Sequence, residues 1–406
     1  MTTPKQTKTK HLPKLWLAIA ILLTGCTPVP PMFKANYTTD YQPDQHLPQR
    51  PDVVARLLDD TLVVSACVYT KTLKPDSSVA GGPAWRFNIE FNLIDKNFKP
   101  LTQSNTQIDQ TTTLTTPWIP DTLWLHFKLK PRISSQSPVL LTIKLTDAVT
   151  NTTLENWTPL LPSNYPLLQT PGLIPITFCV KSGTPISAHR LQTDIATHYT
   201  PSIPSPPFTS EIRPPAPVHA WKRMPPAKQN PLKTPAPGLM RLTDSTSHQE
   251  TVILVASKNF PAATTPHEGL LAIRYITTRE EFRQLTTTSN LLQQILTVWD
   301  QPDQPDQAAK RARQYLDKIE EANRFFTRSQ PGSLTDRGMI WIVYGVPGTV
   351  WKSPGIETWI YHETENGLPL RFDFDLTPIP TGQEWILRRS DLFRPSWNKA
   401  VNQWRQ

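Results

Sequence analysis

Residues 330–348 read QPGSLTDRGMIWIVYGVPG, and this stretch decides how the second half of the chain is folded. A polar corner, Thr335-Asp336-Arg337-Gly338, stands directly before the apolar run Met339-Ile340-Trp341-Ile342-Val343-Tyr344-Gly345. The run is rich in aromatic and β-branched residues and reads as a strand. Ahead of it the pattern is helical. Within 307–326, Ala309, Ala312, Leu316, Ile319, Ala322 and Phe326 recur at steps of three and four and give one apolar stripe. Lys310, Arg313, Asp317, Glu320 and Arg324 lie off that stripe as a solvated face, with Glu320 and Arg324 a favourable i,i+4 pair. Helix followed by strand predicts an α+β module.

The corner has its own chemistry. Thr and Asp side chains bond the backbone amides of tight turns. Gly338 allows positive φ or a close backbone approach. Arg337 presents a planar fork to a carboxylate or to carbonyl oxygens. These residue types favour an architectural corner in which Asp336 fastens its own loop. A ligand- or partner-binding edge and a catalytic carboxylate are the alternatives.

Further upstream, 251–255 and 270–276 are apolar segments. Thr278-Arg279-Glu280-Glu281 has the form of a capping box, with hydroxyl and carboxylate each serving an orphan amide at a helix start. A helical stretch through Leu285, and then 291–299, follows it. The order helix end at Glu321-Ala322-Asn323-Arg324-Phe325-Phe326, Pro331-Gly332, Thr335-Asp336-Arg337-Gly338, Val346-Pro347-Gly348 and Glu357-Thr358-Trp359-Ile360-Tyr361 resembles the GWxTD-domain family. That family is named for Gly-Trp-x-Thr-Asp and occurs in many bacterial envelope lipoproteins. The resemblance covers roughly 250–400 and is specific over 317–361. Gly332, Thr335 and Asp336 match the motif, whereas Ser333 stands where the motif has Trp. If that Trp is an exposed platform in relatives, this chain lacks it; if it packs the loop, Leu334 or Trp341 stands in for it. The resemblance implies an architecture and no mechanism.

The first half of the chain has a different period. In Trp85-Arg86-Phe87-Asn88-Ile89-Glu90-Phe91-Asn92-Leu93, apolar and polar residues alternate strictly, as in a half-buried strand. Leu123, Leu125, Phe127 and Leu129 repeat the pattern, as do Leu141, Ile143 and Leu145, and then Ile174, Ile176, Phe178 and Val180. Residues 61–70 make a further Val-rich strand, with turns at Asp95-Lys96-Asn97 and Thr150-Asn151-Thr152. Short strands at these spacings predict an all-β, sandwich-like domain over 52–200. A Pro-rich connector follows over 201–238, irregular or polyproline in form, and then the α+β, GWxTD-type domain over 239–406. The expected fold is therefore multidomain.

The chain's first residues carry a targeting pattern. Lys5, Lys8, Lys10 and Lys14 precede an apolar core, Leu15-Trp16-Leu17-Ala18-Ile19-Ala20-Ile21-Leu22-Leu23, that is far shorter than a membrane span. Leu23-Thr24-Gly25-Cys26 then resembles the bacterial lipobox. The resemblance implies cleavage of a signal peptide, 1–25, and acylation of Cys26, as by palmitate, whose chains together hold a protein durably in a bilayer. Thr27 is not Asp, which by resemblance to sorting signals favours a Gram-negative outer membrane, facing the periplasm. Residues 26–51, with six prolines, read as a tether that lets the folded part stand off the membrane.

The formal charge of +9 falls by the four signal-peptide lysines to about +5 in the mature chain. The remaining basic residues are dispersed apart from Arg388, Arg389 and Arg394, so nucleic acid is not an expected partner. With Cys26 lipidated, Cys67 and Cys179 remain, either paired in an oxidising compartment or separately buried.

No recognisable catalytic set is present. The nine histidines are scattered, His267-Glu268 lacks the second His of H-E-x-x-H, and no G-x-S-x-G elbow, P-loop or dinucleotide fingerprint occurs. Asp373 and Asp375 alternate with Phe372 and Phe374, either as solvent-facing positions of an edge strand or as a carboxylate pair for acid–base or Ca²⁺ chemistry. No cofactor or metal is expected. The leading expectation is a non-catalytic outer-membrane lipoprotein that joins envelope proteins as an interaction or scaffold component. The alternative is a periplasmic glycan- or peptide-binding protein, or an envelope hydrolase, using the acids of the C-terminal domain. A structural lipoprotein contacting only lipid and cell wall is the third.

Overall fold

In the computed structural model, residues 38–41, 52–58, 61–69, 73, 85–95, 100–110, 122–131, 140–161, 168–169, 175–176, 179–186, 191–196, 199–210, 220–224, 232–244, 248, 250–262, 266–286, 298–299, 305–353, 355–361 and 369–406 are described. The signal peptide, Cys26 and the helical stretch expected over 291–297 lie outside them.

The alternating segments of the first half are strands. They are β1 (Asp52–Leu58), β2 (Thr61–Tyr69), β3 (Trp85–Ile94), β4 (Pro100–Gln110), β5 (Thr122–Leu129), β6 (Leu140–Asp147) and β7 (Thr153–Leu161). Their order in one sheet is β4-β3-β6-β7-β1-β2-β5. All neighbours are antiparallel except β1 and β7, which meet in parallel through Ala55 opposite Leu160 and Arg56 opposite Leu161. Phe87, Ile89, Phe91 and Leu93 of β3 are buried with Leu141, Ile143 and Leu145 of β6 and Leu125, Phe127 and Leu129 of β5. The turn expected at 150–152 closes β6 onto β7. Asp147 accepts from the Val149 amide and the Thr150 hydroxyl, and Asn151 takes φ +57°, a left-handed conformation that Asn tolerates.

A second, five-stranded sheet draws on distant parts of the chain. The short strands β8 (Leu168–Gln169) and β9 (Pro175–Ile176) pair only with each other. The strands β10 (Cys179–Lys181), β11 (Pro185–Ile186), β12 (Leu191–Ala196), β13 (Trp221–Arg223), β14 (Leu232–Lys233), β15 (Gly238–Asp244) and β16 (Glu250–Ala256) follow. The sheet order is β10-β16-β15-β12-β13, and β11 pairs with β14. Strands from both sides of the Pro-rich stretch are thus hydrogen-bonded neighbours, and β13, from within that stretch, lies at the edge, where proline-rich sequence is tolerated. The row Ile174, Ile176, Phe178, Val180 is not one strand: Ile176 and Val180 belong to different sheets, while Ile174 and Phe178 lie outside the described residues. Cys67 lies on β2 and Cys179 on β10. Cys179 is a free thiol pushed up to about 12 by burial, and the Cys67 side chain is outside the described residues.

The C-terminal core contains α1 (Pro266–Ile273), α2 (Arg279–Thr286), α3 (Pro305–Phe326), α4 (Asp336–Tyr344) and α5 (Arg394–Arg405). They accompany a four-stranded antiparallel sheet, β17 (Thr349–Ser353), β18 (Ile356–Tyr361), β19 (Leu370–Ile379) and β20 (Gly382–Leu387), in sequence order. The capping box forms as read: the Glu281 carboxylate accepts from the Thr278 amide and the Thr278 hydroxyl from the Glu281 amide. On α3 the buried stripe is Ala308, Ala312, Tyr315, Ile319, Ala322 and Phe326. Ala309 is exposed and Leu316 only half-buried, because Tyr315 sets the face one position earlier than the alanine spacing suggested.

The run 339–345, expected as a strand, instead falls on a helix that spans Asp336–Tyr344 and on the residue after it. Its run is apolar all round because the helix is buried on every side. Gly345, at φ +78°, ends it and donates its amide to the Trp341 carbonyl. Within the segment expected as a tether, residues 38–41 engage the fold. Thr38–Tyr41 form a 3-10 turn, and Tyr41 is buried in the C-terminal core, where its ring packs and its hydroxyl is bonded. Residues 199–210 also run against this core. Ser205 and Pro207 carbonyls accept from Arg389 and the Ser390 amide, and Phe208 lies under the Arg394 guanidinium.

The candidate corner

The loop leading into α4 is held by short polar side chains of α3 and its end. Thr327 Oγ1 donates to the Asn323 carbonyl at 2.6 Å and accepts from the Gly332 amide at 2.9 Å. Asn323 accepts from the Ser333 amide and donates to the Pro261 carbonyl. Gln330 Nε2 reaches the Leu334 carbonyl at 2.6 Å, and the Tyr275 hydroxyl donates to the Ser333 carbonyl at 2.7 Å. The loop is therefore interior backbone whose amides and carbonyls are met by surrounding side chains. Position 333 is buried at 2% exposure, and Leu334 and Trp341 are buried with it. In this chain the motif's Trp position faces inward and is no exposed platform.

Each of the four corner residues has a separate task. Thr335 is the N-cap of α4: its Oγ1 accepts from the Gly338 amide at 3.0 Å and donates to the Gly332 carbonyl at 2.8 Å. Gly338 lies inside the helix and does not use positive φ. It provides the close approach instead, since a Cβ there would stand 1.8 Å from the Gly332 carbonyl oxygen. Asp336, in the first turn, does not fasten its own loop. It accepts from the Leu387 amide of β20 at 2.8 Å and from both terminal nitrogens of Arg389, at 3.0 and 2.6 Å. A helix start turns this side chain away from its own backbone, so Thr335 serves the loop while Asp336 ties α4 to the sheet. Arg389 in turn donates to the Ser205 carbonyl, bringing the proline-rich stretch into the same junction.

Arg337 faces the aromatic interior. Its guanidinium lies 5.0 Å from the Phe326 ring centroid and 5.3 Å from that of Trp385, and its Nη1 donates to Glu357 Oε2 at 3.2 Å. Glu357 Oε1 accepts from the Trp359 indole at 2.7 Å and from the Tyr41 hydroxyl at 2.9 Å. Burial pushes the Glu357 carboxyl up, but the Lys352 and Arg337 charges and these two donors outweigh it and hold the group below its ordinary value. A second acid, Glu384, goes the other way. Burial raises it against the pull of Arg328 and Arg337, and among the described residues its Oε2 has no hydrogen-bond partner. Arg328, half-buried nearby, is lowered to about 10, first by its loss of water and second by the Arg337 charge.

Sequence reading brought out Thr335, Asp336, Arg337 and Gly338, which the structure does bring together. It missed Glu357 as the partner of Arg337, together with Glu384, Arg328 and Tyr41. Arg389 appeared only as part of a basic cluster. Asp373 and Asp375 sit on β19, an interior strand rather than an edge, with Phe372 and Phe374 fully buried on its other face. Asp373 is bonded by Thr358 and Arg371, and Asp375 by both Arg388 nitrogens at 2.7 and 2.6 Å. Among the described residues no three His, Cys, Asp or Glu side chains converge as a metal set.

Two expected results follow from this geometry. Thr335→Ala removes the cap and should cost about 1 kcal/mol in thermal unfolding, with Thr335→Ser close to the parent. Glu384 has a raised pKa in the folded state, so its contribution is fully present below the ordinary carboxylate value and declines as pH rises through the folded one. Urea midpoints of the parent should therefore fall relative to Glu384→Gln between about pH 4.5 and neutral pH. Parallel midpoints across that range would contradict the burial assigned to the acid.

Residues 238–406 match the family model described as GWxTD domain, so the C-terminal part of the chain is a GWxTD domain within a structure that is otherwise mostly β-strand. Comparison with curated proteins gives no match.

Proposed function

We propose that this protein is a non-catalytic, lipid-anchored interaction or scaffold component of a bacterial cell envelope, acylated at Cys26 and held at the periplasmic face of an outer membrane. One observation carries the reading: the corner is spent on the chain itself. Asp336 and Arg389 join α4, β20 and residue 205 of the proline-rich stretch in one buried junction, and Arg337 with Glu357 joins α4 to β18. Such a junction holds a rigid platform together and presents no free nucleophile or acid at its own position. The lipobox residues 23–26 support the anchor.

The N-terminal strands are read as sandwich-like. Supporting this, one buried cluster takes side chains from β3 and β6, near one end of the sheet order, and from β2 and β5 at the other. A ligand-binding or hydrolytic reading would draw on Asp373 and Asp375, and both are already engaged by guanidinium groups.

The test is affinity recovery, after mild cross-linking, of the full chain and Cys26→Ala from native membranes, with palmitate labelling. The expected result is a labelled, membrane-bound parent carrying a stoichiometric envelope protein, and an unlabelled, released variant. Continued membrane retention of Cys26→Ala would overturn the anchor. Absence of any stoichiometric partner with the labelled parent would overturn the scaffold role.

A further inference from the structure

Tyr41 comes from far away in the chain and enters a socket made entirely by the C-terminal domain. Its ring centroid lies 5.7 Å from that of Phe325, 5.4 Å from Phe326, 6.0 Å from Trp341 and 5.8 Å from Trp359. These are edge and tilted contacts, the arrangements that aromatic quadrupoles favour. Lys352 Nζ stands 4.8 Å from the ring centroid, and the hydroxyl donates to Glu357, 316 positions along the chain. At the rim, Thr38 Oγ1 donates to the Gly348 carbonyl at 3.2 Å.

The parts of the socket match a phenol and not merely an apolar ring. Four aromatic side chains enclose the ring and a cation lies over it. A buried carboxylate with two donors from its own domain, Arg337 and Trp359, takes a third from the hydroxyl. Phenylalanine would fill the space and leave that acceptor position without its donor, a loss that buried carboxylates register strongly.

We propose that this socket is a binding site for a tyrosine-bearing peptide segment, and that its occupant is the chain's own segment Thr38–Tyr41, bound within the same molecule. The site and its occupant do not depend on lipidation. Where the anchor proposed at Cys26 is also present, Tyr41 lies fifteen positions after it, which limits the socket to roughly 50 Å from the acylated residue.

Two experiments on the full chain test this. The Thr38→Cys/Gly348→Cys variant, mildly oxidised and compared with each single variant, should form a bond within one chain. No bond, or one joining two chains in a doubled band, would overturn the assignment. In the second, Tyr41→Ala should melt at lower temperature, and a synthetic peptide of residues 36–43 should restore the loss saturably while leaving the parent unaffected. The same peptide with Phe at position 41 should bind at least tenfold more weakly. An unchanged melting temperature in Tyr41→Ala, or a folded variant indifferent to the peptide, would overturn the site. The cysteine pair leaves Tyr41 in place, so the first experiment decides the matter independently of how well Tyr41→Ala folds.

Discussion

Asp336→Ala should lower the free energy of unfolding by about 3–5 kcal/mol, the range for a buried ion pair that loses one partner. The carboxylate is 7% exposed and Arg389 5%, so removing the acid strands a guanidinium away from water rather than at the surface. The Leu387 amide of β20 loses its acceptor at the same time. Urea unfolding measures the loss, and two further variants separate its parts. Asp336→Asn retains an acceptor for the amide and should fall less. Asp336→Ala/Arg389→Met removes the stranded charge and should regain part of the stability, a non-additivity expected of groups in direct contact. If the double variant were as unstable as the sum of its singles, the pair would not be acting as a unit.

Gly338→Ala and Gly332→Ala should each cost about 3 kcal/mol or more, at or beyond the top of the usual overpacking range. A Cβ at 338 would meet the Gly332 carbonyl oxygen at 1.8 Å, and one at 332 would meet the Ala322 carbonyl oxygen at 2.0 Å. Both obstacles are backbone, so no side chain can swing aside to make room. The 3-10 turn at Gly332–Leu334 must instead part from α3 or from α4, which also pulls Thr335 out of its capping geometry. Urea midpoints near the parent's in either variant would show that these elements separate without loss.

The alternation from Trp85 to Leu93 was legible because a period of two is local, and one face of β3 is buried as that period requires. The same holds for the capping box at 278–281. The run 339–345 misled for a physical reason. A short, uniformly apolar segment carries no period, so β-branched and aromatic residues weighed it towards strand. The counter-signal was present: Thr335 with Asp336 behind it is also a helix start, and Gly345 a helix stop. The corner's residue types were readable and their partners were not, since Leu387, Arg389 and Glu357 lie 20 to 53 positions away. The pairing of β12 with β15 across the proline-rich stretch, and with β13 inside it, was hidden in the same way.

The position of Tyr41 bears on the order in which the molecule can assemble. A chain is made from its N-terminus, so the segment that fills the C-terminal socket appears well before the socket does. β1 to β7 pair entirely within 52–161 and can form while the remainder is still emerging. Tyr41 must wait until residues through Trp359 are available, and contacts of such separation are slow to close. The socket therefore closes only after its own domain has formed, and in closing it ties residue 41 to strands and helices about 300 positions further on.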